Sequence, residues 1–192
     1  MTDSQPVVGV LGIQGDIEKH VRALERLGAR GRRVLAARDL EGLHALILPG
    51  GESTTISKGL VRHDLVKPIQ EFAESGGAVL GTCAGAILLS NISTNHPVPT
   101  LGVIDIESER NAYGTQLDSF VAPVDPDCAE AWAGMECVFI RAPRLMHPGP
   151  EVEVLARVDG EAVLVRQGRR WACTFHPELT DDLRVHRALL ED

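Results

Sequence analysis

One segment of the sequence has the pattern of a nucleophile elbow, a sharp turn that joins a strand to a helix. Residues 81–85 (GTCAG) lie between the apolar runs 78–80 and 86–89. The glycines permit a tight turn, and the partial positive charge at a helix start favours a thiolate. The pattern predicts that Cys83 is a nucleophile, with a buried structural cysteine as the alternative.

A thiolate nucleophile needs a base that takes and returns protons, and the base needs an orienting partner. Residues 175–178 (FHPE) offer both in His176 and Glu178. On an extended segment, residues two apart point to the same side, although the carboxylate must still curl back to reach the imidazole. Pro177 keeps this end of the strand out of a ladder. We expect His176 to act as general acid and base and Glu178 to orient it.

The remaining histidines and cysteines lack a comparable setting. Four histidines fall on predicted helices or polar loops and are expected to be solvated: His20, His44, His63 and His186. Two others precede prolines in loops: His96 and His147. Structural roles are expected for three cysteines, in a polar loop or in apolar strands: Cys128, Cys137 and Cys173.

Acyl transfer also needs hydrogen-bond donors for the developing oxyanion. One candidate is the backbone N–H of Ala84, directly after the nucleophile, and another is an N–H of the turn 49–53 (PGGES), taken as that of Gly51. This turn could instead be a plain connection or cradle a phosphate. It lacks the full P-loop pattern, so nucleotide binding is not expected.

The first half of the chain alternates predicted strands and helices, which is typical of a parallel, doubly wound sheet. The predicted strands are 7–11, 33–36, 46–48 and 78–80, and helical character is predicted over 17–27, 53–75 and 86–89. The second half contains strand-like runs separated by turn residues, and it ends in a short helix. These runs are 101–106, 119–122, 137–140, 152–158, 162–165 and 171–175, with the helix at 181–190. We predict one α/β domain over residues 1–192, with antiparallel strands added to a mostly parallel sheet.

Composition argues against several classes of function. The 192 residues are 44% hydrophobic and 24% charged, as in ordinary globular proteins. A net charge of −8 disfavours nucleic-acid binding, and the short basic stretches 30–33 and 166–170 are expected in surface turns. No apolar run approaches the ~18 residues of a membrane span, and the start of the chain lacks a signal-peptide pattern. The four cysteines show no metal or disulfide spacing. We expect a cytoplasmic protein without membrane contact, metal or cofactor.

Three motifs together resemble those of the class I, or triad, glutamine amidotransferases: residues 49–55 (PGGESTT), 81–85 (GTCAG) and 175–180 (FHPELT). The chain resembles the PdxT family, the glutaminase subunits of pyridoxal 5′-phosphate synthase, almost from end to end. Residues 12–15 (GIQG), 109–114 (ERNAYG) and 139–143 (FIRAP) carry this closer likeness. The resemblance implies a three-layer, flavodoxin-like mixed sheet. It also implies hydrolysis of L-glutamine to L-glutamate and ammonia through a thioester on Cys83.

The resemblance further implies which residues bind the substrate: Gly51, Glu52, Ser53, Arg110, Ile140 and Arg141. Their charges suit glutamine, since Arg110 could hold the α-carboxylate and Glu52 the α-ammonium. Gln14 matches a residue linked in the family to the oxyanion site and to activation by the partner.

In the family, ammonia passes through a tunnel to a synthase subunit with a TIM-barrel fold, so a large hetero-oligomer is expected. The family usually has Glu-His on the first helix, whereas this chain has Glu18-Lys19-His20. Lys19 reverses a charge at a position expected near the partner, which affects the details of docking rather than the triad.

Three other interpretations stay open. A glutaminase that serves a different synthase would share the triad but should lack the ERNAYG and FIRAP segments. A cysteine peptidase or thiol hydrolase on a similar sheet usually has its histidine directly beside the nucleophile, where this chain has Ala84. A non-catalytic binding subunit would not need all three triad residues.

Overall fold

The computed structural model describes residues 5–110 and 119–192. In chain order the strands are β1 (Val7–Leu11), β2 (Arg30–Val34), β3 (Ala45–Leu48), β4 (Ala78–Thr82), β5 (Ser90–Thr94), β6 (Ile104–Glu109), β7 (Ser119–Pro123), β8 (Glu136–Ile140), β9 (Arg144–Met146), β10 (Glu153–Val158), β11 (Glu161–Gln167) and β12 (Arg170–Cys173). The helices are α1 (Ile17–Arg26), α2 (Ser53–Arg62), α3 (Val66–Glu74), α4 (Ala84–Leu89) and α5 (Arg184–Glu191).

Seven strands form the main sheet in the order β10-β11-β12-β4-β3-β1-β2. The five strands from β12 to β2 pair in parallel, and β10 and β11 extend the sheet by antiparallel pairing. Residues that alternate along the central strands enter two different hydrophobic clusters. One cluster includes α1 and α5, and the other includes α2, α3 and α4. The predicted mixed sheet between two helical layers is therefore confirmed.

Two smaller sheets lie outside the main one. Strands β5, β6 and β9 form the first, and β7 and β8 form an antiparallel pair. The sequence pattern did not predict β5 or β9, and it placed β2 too late, at 33–36. The expectation of a surface turn at 30–33 is wrong, because these residues form most of β2 at the edge of the sheet. An edge strand with a single buried residue, Val34, does not need an apolar sequence.

Parallel pairing brings the carboxyl ends of four strands to one edge of the sheet. The loops after β1, β3, β4 and β12 contain Gln14, Gly51, Cys83 and His176, respectively. Open α/β sheets bind their ligands at this edge. The fold thus gathers residues from four separate sequence motifs.

Candidate active site

Cys83 occupies a strained backbone position between β4 and α4. Its φ is 49° and its ψ is −106°, values that a residue with a side chain rarely adopts. The turn needs both flanking glycines. A Cβ on Gly85 would collide with the carbonyl oxygen of Leu48, and one on Gly81 would lie 2.5 Å from the backbone of Gly85. The geometry agrees with the predicted nucleophile elbow.

His176 reaches the same point from the neighbouring strand. Cys173 of β12 pairs with Thr82 of β4, so the residues that follow these two strands meet. The N–H of Cys83 donates to the carbonyl of Cys173 at 2.8 Å, and the N–H of His176 donates to that of Val138 at 2.9 Å. These bonds fix the backbone on both sides of the site.

A 3₁₀ turn at Pro177–Leu179, rather than continued strand, brings the carboxylate back to the imidazole. Nδ1 of His176 lies 2.7 Å from Oε1 of Glu178, and Glu178 is only 7% exposed. The expected extended segment therefore ends at His176. Proline is favoured at the first position of such a turn because it needs no N–H donor there.

The opposite charges of His176 and Glu178 stabilise each other. Burial would lower the pKa of His176, but hydrogen bonds with Cys83 and Glu178 raise it to about 10. Burial would raise the pKa of Glu178, but the hydrogen bond from His176 and the nearby His20 lower it. An ionised Glu178 therefore stabilises an imidazolium, as a proton shuttle requires.

Two of the other three thiols are expected to be unreactive as nucleophiles. Burial raises the pKa of Cys137 to about 12 and raises that of Cys173 well above its usual value. A buried thiol that stays protonated is a poor nucleophile. Cys128 lines a separate surface pocket beside β10.

A cavity of about 390 Å³ opens over Cys83 and His176. Its lining includes every residue expected to bind substrate: Gly51, Glu52, Ser53, Arg110, Ile140 and Arg141, together with Ala84 and Ile87. Gly50 lies behind this lining, where an added Cβ would be 2.5 Å from Cε1 of His176. The loop can pack against the imidazole only because residue 50 is glycine.

Gln14 lies beside the cavity and supports the loop after β3. Its Oε1 accepts a hydrogen bond of 3.0 Å from the N–H of Glu52. The Glu52 carboxylate caps α2 by accepting from the N–H groups of Thr54 and Thr55, at 3.0 and 2.7 Å. Although burial acts in the opposite direction, these bonds and the Thr55 hydroxyl lower the pKa of Glu52 to about 2. A fixed negative charge therefore faces the cavity.

Arg110 supplies the opposite charge. Its Nη2 lies 3.3 Å from Oε1 of Glu52, and its Nη1 donates to the carbonyl of His96. The two side chains expected to hold the ends of glutamine thus pair with each other. The last four residues of the 109–114 motif, 111–114, lie outside the described residues.

Two residues of the site were not predicted from the sequence. His20 on α1 and His186 on α5 were expected in solvent, but both are fully buried. His20 Nδ1 lies 3.0 Å from Nε2 of His186, and its Nε2 lies 3.5 Å from Oε2 of Glu178. No local motif marks this contact, because 166 residues separate the two histidines.

Within the parts of the chain that the structure describes, no cluster of histidine, cysteine or carboxylate side chains is arranged to hold a metal ion. Over the same ranges, every helix is too short or too polar to cross a membrane.

The strained thiol, the histidine–carboxylate pair and the cavity with one carboxylate and one guanidinium agree with the arrangement expected of a triad amidotransferase. The chain belongs to the SNO glutamine amidotransferase family, whose model matches residues 10–192. The resemblance predicted from the motifs is confirmed.

Relatives of known name agree with this assignment. A Thermus thermophilus protein named pyridoxal 5′-phosphate synthase subunit PdxT is 49% identical over 187 residues, which cover 96% of each chain. Its Thermotoga maritima namesake is 47% identical over 184 residues, 96% of this chain and 97% of the relative. A crystal structure described as a glutamine amidotransferase matches with a TM-score of 0.90 at 47% identity, covering 96% of this chain and 97% of that chain.

Proposed function

We propose that this protein hydrolyses L-glutamine to L-glutamate and ammonia, with Cys83, His176 and Glu178 as its catalytic residues. One observation carries the proposal. The strained Cys83 lies next to a buried His176–Glu178 pair, in a cavity whose rim presents a carboxylate and a guanidinium. Free glutamine has an α-ammonium and an α-carboxylate to match that rim.

The reaction uses two acyl transfers at one carbon. The Cys83 thiolate attacks the carboxamide carbon, and the imidazolium of His176 protonates the departing nitrogen, which leaves as ammonia. A thioester remains on Cys83. His176, now neutral, takes a proton from water, whose oxygen attacks the thioester. Glutamate leaves as the sulfur–carbon bond breaks, and the proton returns the thiolate–imidazolium pair to its starting state.

Backbone donors stabilise the oxyanion in both steps. We assign this role to the N–H groups of Ala84 and Gly51, because both residues line the cavity together with Cys83. Gln14 supports it by holding the N–H of Glu52, the residue next to Gly51. A movement of Gln14 would therefore change the loop that carries one donor.

Ammonia made at Cys83 would serve a synthase partner. The relatives are named as subunits of pyridoxal 5′-phosphate synthase, which supports such a partner for this chain. We further propose that the partner has a TIM-barrel fold, that the complex is a large hetero-oligomer and that it is cytoplasmic. A reducing compartment would keep the Cys83 thiol available for catalysis.

Glutamate release, measured with and without the cognate synthase subunit, tests this function. We expect weak release by the chain alone and a marked rise with the partner. Cys83→Ala should abolish release while complex formation persists, and the matched control Cys128→Ala should stay active. Full activity of Cys83→Ala would refute the nucleophile assignment. Equal activity with and without the partner would refute the coupling.

A further inference from the structure

A chain of three side chains extends behind His176. Glu178 uses Oε1 to contact His176, and its other oxygen, Oε2, faces Nε2 of His20 at 3.5 Å. On its far side, His20 contacts His186 of α5 at 3.0 Å. All of these side chains except that of His176 are sealed from solvent.

The donor and acceptor atoms that face each other favour one set of tautomers for His20 and His186. An ionised carboxylate can only accept, so Oε2 of Glu178 needs a donor, and Nε2 of His20 is the nitrogen that faces it. A neutral imidazole has one N–H. If His20 carries it on Nε2, its Nδ1 must accept, and Nε2 of His186 must donate. Within the described residues, neither Oε2 of Glu178 nor Nε2 of His20 makes a hydrogen bond, and the 3.5 Å contact between them is an ion-pair distance from which a small shift would form one.

Both histidines stay neutral near pH 7. Burial lowers the pKa of His20 despite the opposing charge of Glu178, and His176 and Asp16 are the other charged groups that act on it. Burial, with a smaller effect of His20, lowers the pKa of His186 to about 3. The neutral forms agree with the tautomers deduced from the contacts.

We propose that His20 is a positioning residue for the glutaminase reaction, which holds Oε2 of Glu178 so that Oε1 stays on His176, and that His186 fixes the tautomer of His20. This inference rests on the proposed function. An ionised carboxylate oxygen buried without a donor is costly, so Glu178 without His20 would rotate or take up a proton. Either change would weaken its hold on the imidazole.

Two substitutions of His20 separate positioning from packing. His20→Leu removes the donor, whereas His20→Gln places an amide N–H near the position of Nε2. We expect His20→Leu to lower kcat for glutamate release roughly 10-fold with KM unchanged, and His20→Gln to recover most of the loss. The control is His44→Leu, because His44 also holds α5, through the carbonyl of Leu190, without touching the triad. It should keep wild-type kcat.

A readout without glutamine keeps the test separate from the proposed function. The rate of Cys83 alkylation by iodoacetamide reports the thiolate that His176 and Glu178 support. Loss of the donor raises the pKa of Glu178, so the acid limb of the alkylation profile should move to higher pH in His20→Leu and return in His20→Gln. An unchanged limb in a folded His20→Leu protein would overturn the positioning role, whether or not glutamine is the substrate.

A double-mutant cycle with Glu178→Gln tests the path of the effect. If His20 acts through Glu178, His20→Leu should cost almost nothing further in the Glu178→Gln background. Equal losses in both backgrounds would overturn the proposal. Unfolding midpoints of all variants show whether a loss of activity comes from misfolding. If the His20→Leu protein is misfolded, the activity of the His20→Gln protein decides whether His20 has a positioning role.

Discussion

The two sides of the cavity are built in different ways. Cys83, His176 and Glu178 are all less than one-tenth exposed and are held by paired strands and a 3₁₀ turn. On the rim, Glu52 is 47% exposed and its guanidinium partner Arg110 is 15% exposed, and both side chains come from loops or helix ends. The buried side keeps one geometry, whereas the rim pair can exchange its mutual contact for contacts with a ligand.

This difference separates two kinds of energetic effect. Changes on the buried side should alter the chemical step, because in the proposed reaction those groups act on the reacting atoms. Changes on the rim should alter glutamine binding, because in our proposal those groups hold parts of the substrate that do not react.

The largest expected effect is loss of the base. His176→Ala should lower kcat for glutamate release by about 10³-fold or more, since no other imidazole among residues 5–110 and 119–192 lines the cavity. KM should change little. Steady-state kinetics with the synthase subunit present measure both constants. A loss confined to KM would show that the buried side does not carry the chemistry.

On the rim, Glu52→Gln should raise KM roughly 10- to 100-fold, with a much smaller change in kcat. Glu52 accepts from the N–H of Thr54 through Oε1 and from that of Thr55 through Oε2, so the amide oxygen can cap only one of them and the start of α2 should weaken. The same kinetics, with an unfolding curve as control, measure the effect. A fall in kcat as large as that of His176→Ala would contradict the proposal that the rim binds substrate and the buried side carries the chemistry.

Acid should lower the stability of the fold through His186, which lies behind the buried side of the cavity. His186 has a folded pKa of about 3, below its usual 6.5, so the unfolded chain takes up its proton first as pH falls. Stability should therefore drop below pH 6.5 by about 1.4 kcal/mol per pH unit from this residue alone. Urea unfolding at pH 7 and pH 5 measures the slope, and His186→Leu should flatten it. An equal slope in the variant would show that His186 is not buried as a neutral group.

The smallest expected effect is release of backbone strain at the elbow. Cys83→Gly should be more stable than Cys83→Ala by about 1 kcal/mol, because only glycine adopts a φ of 49° without strain. Glycine usually makes a protein less stable than alanine does, so a more stable glycine variant would indicate backbone strain at this position. Chemical denaturation of the two variants decides it, and a less stable glycine variant would contradict the strain.

The triad motifs were predictable because each is local. The elbow at 81–85 and the segment at 175–178 each place their chemistry within a few residues, and parallel pairing of β4 and β12 joins them. The central strands were predictable for the same reason, since their apolar runs are continuous. The edge strand β2 and the polar strand β5 bury few residues and leave little pattern.

The burial of His20 could not be deduced from the sequence. Val21 and Leu24 are apolar residues at helical spacing, but the structure buries His20, Ala23 and Leu24 and leaves Val21 only partly buried. The helix is rotated so that a polar residue faces Glu178, a contact set by tertiary packing across the chain. Similarly, Pro177 is the one sequence feature that indicates the 3₁₀ turn after His176.

The central claim is that Cys83 carries the acyl group of glutamine. A glutamine analogue with a diazoketone in place of the carboxamide alkylates the thiolate that attacks it. Mass spectrometry of the complex with the synthase subunit should find one adduct, on Cys83, which excess glutamine prevents and which forms much more slowly in His176→Ala. An adduct on Cys128, Cys137 or Cys173 with Cys83 unmodified would contradict the account.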